Sequence, residues 1–121
     1  MFGKGELITM IVLHIPYFRL EKHKLVKVDY FPYQHAMISG LKSLGVSFKL
    51  DKRIVTVNNI KFQEGMCICN CDERTKASVI SLYIKLLKKY HRVFKHVFYV
   101  YEIDNFSHSI SFDSKGDLIH L

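Results

Sequence analysis

Two segments of this chain carry helical periodicity, and nearly every other apolar stretch is β-branched or alternating. That pattern limits the fold more than any other feature. The longer helical segment, 73–95, places Val79, Ile80, Tyr83, Leu86, Leu87, Tyr90 and Phe94 on one wide arc, as a helix packed on a core requires. Asp72 is its expected N-cap. The shorter one begins near Pro32, which suits a first helical turn because its missing N–H costs nothing there. Met37, Leu41 and Leu44 mark its apolar face and Gly45 its end. Gly40 lies inside this helix at a cost of about 1 kcal/mol relative to Ala, so a close helix neighbour is expected there.

The remaining apolar segments read as strands. They are Leu7 to Ile15, Leu25 to Phe31, Val46 to Leu50, Ile54 to Val57, Ile60 to Phe62, Met66 to Cys71, Val97 to Ile103 and a C-terminal hairpin from Ile110 to Leu121. Asp51-Lys52 is read as a turn, and Asn58-Asn59 as a primed hairpin turn, because Asn tolerates positive φ. Val97 to Ile103 is apolar on both faces and predicts a central strand covered on both sides. Residues 25–103 then follow a β-α-β-β-α-β order, the ferredoxin-like split motif. The expectation is a single α+β domain over 1–121. It has a mostly antiparallel sheet, two helices on one face and a C-terminal β-hairpin.

At 121 residues the chain is long enough to bury a core without staples. Its three cysteines are odd in number and crowded into five residues, which argues against a disulfide framework and for a reducing, cytoplasmic setting. The apolar run Leu7 to Leu13 is far too short to span a bilayer, which needs about 20 residues. It resembles a signal-peptide core, but Glu6, His14 and Pro16 flank it, and a buried strand is expected instead. No membrane partner is expected. Met10 is a candidate alternative translation start, which would make residues 1–9 an extension.

Charge is the second strong signal. Eighteen Lys and Arg against eleven Asp and Glu leave +7, and residues 72–96 hold +5 of it. Lys85, Lys88, Lys89, Arg92, Lys95 and His96 share one sector of the long helix, opposite its apolar arc. Lys85–Lys89 and Lys88–Arg92 are like-charge i,i+4 pairs, each unfavourable by about 0.2–0.5 kcal/mol. A face of this kind binds phosphates, because each neutralised phosphate releases counterions. Two ordinary explanations compete: cations near a helix C-terminus are favoured by its dipole, and solvated faces are often rich in lysine. Lys22, Lys24, Lys27, Lys49, Lys52 and Arg53 form a second basic patch if their turns meet on one edge. Tyr17, Phe18, Tyr30, Phe31 and Tyr33 are the aromatics expected to be exposed for stacking.

The functional expectation is a non-enzymatic domain that contacts DNA or RNA phosphates through Lys85, Lys88, Lys89, Arg92 and Lys95. The alternative is an inhibitor or adaptor whose basic face docks an acidic protein. A further alternative is a small metal-independent ribonuclease or a thiol enzyme.

Cys67, Cys69 and Cys71 alternate along a strand, so their thiols share a face and form a candidate soft-metal set, weighed against plain burial. Cys71 also precedes the expected helix N-terminus, where a thiolate is favoured. No metal or cofactor is expected. The seven histidines are scattered without H-x-H or H-E-x-x-H spacing, and Gly3-Lys4-Gly5 is no phosphate cradle.

Overall fold

The computed structural model describes residues 7–119; Gly3-Lys4-Gly5 and His120 lie outside them. The chain runs β1 (Ile8–Ile15), β2 (Phe18–Glu21), β3 (Lys24–Lys27), α1 (Phe31–Ser43), β4 (Ser47–Val57), β5 (Ile60–Asp72), α2 (Lys76–Phe94), β6 (Tyr99–Ile103), β7 (Phe106–Phe112) and β8 (Leu118–Ile119). Six strands form one sheet in the order β4-β5-β1-β6-β7-β8, antiparallel throughout, and β2 and β3 form a separate ribbon. The α+β expectation holds.

The split β-α-β arrangement is present, but its first strand is β1 rather than Leu25 to Phe31. Those residues divide between ribbon strand β3 and the start of α1. β1 wins the central place because Ile11, Leu13 and Ile15 bury completely under the helices. Asp51-Lys52 is no turn: β4 continues through it, paired residue for residue with β5. Asn58 and Asn59 do turn the chain, at φ of 51° and 64°. A further tight turn at Asp104-Asn105, with φ of 46° and 71°, joins β6 to β7.

Both helices contribute to one core. Tyr33, Met37 and Leu41 from α1 meet Val79, Tyr83, Leu87 and Phe94 from α2 over the Ile11–Leu13–Ile15 face of β1. Gly40 is the close approach expected of it: a Cβ there would stand 2.7 Å from the Leu82 methyls. Gly45, at φ +70°, ends α1 as expected.

α2 begins at Lys76, three residues later than expected. Asp72 instead accepts from the backbone N–H and the hydroxyl of Thr75, at 2.7 and 2.6 Å, closing the turn that precedes the helix. Val97 to Ile103 is not covered on both faces, since Val97 and Phe98 lie in a loop and are 86% and 54% exposed. Among the described residues, no helix is long and apolar enough to cross a membrane.

Candidate active site

Strand alternation divides the sheet into two chemically different faces. Register pairs Leu13 with Cys67, Ile11 with Cys69 and Thr9 with Cys71, so all three thiols point into the helix-covered core. They behave as small buried hydrophobes. Among the described residues no group of His, Cys, Asp and Glu is placed to hold a metal ion. Burial, reinforced by Asp72, Glu73 and Asp104, pushes the Cys71 thiol up. The helix dipole does not reach it, because α2 starts five residues on. Cys71 is therefore not the activated thiolate expected from its position.

The opposite face carries a row of charged and polar side chains. Arg53 on β4 lies directly across from Glu64 on β5. His14 on β1 pairs with Met66, two residues along from Glu64, and Glu102 on β6 pairs with Val12, two residues from His14. Alternation therefore brings four strands' polar residues to one place. His14 Nδ1 stands 3.2 Å from Glu64 Oε2, and Arg53 Nη1 donates to Glu102 Oε2 at 3.0 Å. The second guanidinium terminus of Arg53 contacts His14 Nε2. A guanidinium only donates, so Nε2 accepts and the ring proton sits on Nδ1, directed at Glu64. Both nitrogens of His14 are thus engaged.

Glu64 makes no other hydrogen bond among the described residues, so its second carboxylate oxygen is free. Both partners are largely withdrawn from water, with residue exposures of 9% for His14 and 7% for Glu64.

That pair lines a cavity of about 350 Å³. The ribbon builds one wall through Phe18 and Leu20, and the β4–β5 hairpin another through Val55, Val57 and Phe62. Phe18 meets Phe62 edge to face at 6.1 Å. The ribbon is held over the sheet by two bonds to the end of α2. Arg19 Nη1 donates to the Val93 carbonyl at 3.0 Å, and His96 Nε2 to the Phe18 carbonyl at 2.9 Å. Residues 95–98 form the rim. Lys95 there adopts left-handed φ and ψ of 53° and 35°, a conformation that costs a residue with a Cβ roughly 1–2 kcal/mol. Nothing in the linear sequence joined His14, Arg53 and Glu64. The available signal was weaker: His14 is an ionisable residue inside an otherwise apolar strand segment, while Glu64 lies between two segments read as strands.

The residues expected to bind nucleic acid are placed differently. Lys85, Lys88, Lys89 and Arg92 all lie on the exposed outer side of α2, and Lys95 follows at its end. Arg92 and Lys95 border a shallow open depression, and of the five only Lys95 also borders the cavity. Arg53 leaves the second basic patch, its guanidinium turned to Glu102 and His14. Of the five aromatics expected to be exposed, Phe31 is, at 60%. Tyr33 is wholly buried and donates to the His14 carbonyl at 2.9 Å.

No family model matches the chain. No curated protein matches it either. Among solved structures, a phage SAM lyase in complex with S-methyl-5'-thioadenosine aligns over 92% of this chain and 93% of its own, at 14% identity and a TM-score of 0.44. The same enzyme in its apo state aligns over 92% and 94%, at 15% identity and a TM-score of 0.45. At this distance the likeness assigns no substrate to this chain.

The expectation of a nucleic-acid-binding domain or an adaptor is corrected. The structures that align along nearly the whole chain are of a SAM lyase, at a distance that assigns no role here. The physical reason lies in the charge placement. The basic stripe is the solvated outer side of a helix packed on a core, the ordinary explanation weighed at the outset. The ribonuclease alternative finds a histidine and an arginine that do meet, but they meet beside two carboxylates at a mainly apolar cavity and not beside the basic stripe. The thiol alternative fails with the burial of all three cysteines.

Proposed function

We propose that this chain is a small enzyme that moves a proton on a small, mainly apolar molecule held in the cavity, with Glu64 as the acid–base group. One observation carries the reading. A buried carboxylate with one oxygen fixed by His14 and the other free lines a mainly apolar recess. A carboxylate in such a place is oriented before substrate arrives, which is what general acid–base catalysis requires. His14 and Arg53 are positioning residues, since neither offers a free ring nitrogen or an unshared terminus comparable to the open oxygen of Glu64. The apolar walls exclude water from the transfer.

The test is a turnover screen by mass spectrometry over small apolar and amphipathic compounds, run beside ligand-induced shifts in Tm. S-adenosylmethionine, the compound whose lyase aligns above, is one probe in that set. The expected result is conversion of at least one probe, with Glu64→Gln slowing it about 10²–10⁴-fold while leaving the fold intact. Conversion at an unchanged rate in Glu64→Gln, or no probe bound or converted at all, overturns the reading.

A further inference from the structure

Lys95 is an exposed residue that lines the cavity and also the depression beside it, and its ammonium has no ion-pair or hydrogen-bond partner among the described residues. The other cation at this rim is already neutralised: Arg19 bridges to Glu21 at 3.0 Å and donates to the Val93 carbonyl. His96 spends Nε2 on the Phe18 carbonyl and stacks flat on Tyr99, with 2° between ring planes. Among the described residues the sole carboxylate lining the cavity is the buried Glu64. The cavity is thus polarised, with one unshared positive charge outside, an apolar middle and one carboxylate within.

We propose that the molecule taken by this site bears a carboxylate, held by Lys95 while its apolar body fills the cavity and its reacting group meets Glu64. The inference rests on the acid–base reading of the cavity and adds the substrate class. One ammonium amid apolar walls suits a monoanion. A phosphate dianion calls for several converging donors, and the cavity lining supplies no second free Lys or Arg among the described residues; Arg92 borders only the neighbouring depression. A carboxylate placed the other way round would meet Glu64 and be repelled.

The experiment compares 4-phenylbutyrate with 4-phenylbutyramide, equal in shape but differing in charge, by calorimetry at low salt. The wild-type chain is expected to bind the carboxylate about tenfold more tightly, as a charge-assisted hydrogen bond allows. Lys95→Gly removes the charge and relieves the left-handed backbone, so it folds at least as well; Lys95→Met is the second variant. In both, the preference is expected to fall below about twofold with amide binding unchanged, and Lys95→Arg is expected to keep it. Amide and carboxylate binding equally to the wild type, or a preference that survives Lys95→Gly, overturns the substrate class while leaving the cavity reading in place. Failure of both probes to bind overturns the substrate class, and the turnover screen alone decides the acid–base reading.

Discussion

Arg53 donates to Glu102 at 3.0 Å, joining β4 to β6 across the two strands that lie between them. The bond lies over His14, which the other guanidinium terminus contacts. Arg53 Nε is buried without a partner, so the guanidinium is held by its two ends alone. Replacing Glu102 by Gln keeps the shape and removes the charge. We expect it to lower stability by about 1 kcal/mol, as for a half-shielded ion pair. A double-mutant cycle with Arg53→Met, read by urea unfolding, is expected to give a coupling of similar size. A coupling of zero means the pair does not clamp the site.

His14 fixes Glu64 through Nδ1, and that geometry separates two substitutions. His14→Ala leaves a buried carboxylate without its donor, at a cost of about 2–3 kcal/mol. His14→Asn places an amide nitrogen near the lost Nδ1 and restores part of the bond. Thermal unfolding is expected to rank wild type above Asn and Asn above Ala. Equal losses in the two variants show that the bond to Glu64 contributes nothing and that only the imidazole's volume matters.

These two sites also show what the sequence does and does not carry. The elements were legible where one residue type forces local geometry: the Asn58-Asn59 turn, the end of α1 at Gly45, the close approach at Gly40. That the three cysteines share one face followed from alternation; that the helices cover that face is seen only in the structure. Continuity was not legible at Asp51-Lys52, because a polar pair on an edge strand looks like a turn when its partner β5 is unknown. The site was hidden for a related reason. His14, Arg53, Glu64 and Glu102 come from four strands, and only register brings them together. The basic stripe, visible in one helix, drew attention because it is local. It lies on the solvated side of α2, mostly away from the cavity.

Two glycines make a paired prediction. A Cβ on Gly65 would stand 2.7–2.8 Å from the hydroxyl and ring atoms of Tyr17. Tyr17 is itself packed on Tyr30 with centroids 4.2 Å apart, so it has little room to retreat. Gly65→Ala is expected to cost about 1–3 kcal/mol by overpacking. Gly40→Ala meets only the terminal methyls of Leu82, which can rotate, and gains roughly 1 kcal/mol of helix propensity. We expect it to be near neutral. Denaturant midpoints decide the matter. Gly65→Ala as benign as Gly40→Ala would show that Tyr17 moves freely.

Alkaline pH gives the last prediction. Burial raises the phenol of Tyr99 to about 12, and burial in the core drives Tyr33 and Tyr83 well above the ordinary value as well. Tyr83 also donates to the Val100 carbonyl at 2.8 Å, a bond that needs the neutral phenol. An unfolded tyrosine ionises near 10. Below that pH both states hold the proton and these groups add nothing to the pH slope. Above it the unfolded chain sheds protons that the folded chain keeps, so stability falls as pH rises. Tyr99 alone accounts for roughly 2 kcal/mol by pH 12. Urea midpoints are expected to drop between pH 10 and 12. Phenolate absorbance at 295 nm is expected to show these three of the seven tyrosines ionising only as the chain unfolds. If all seven titrate reversibly near 10 with the fold retained, these phenols are not buried as described.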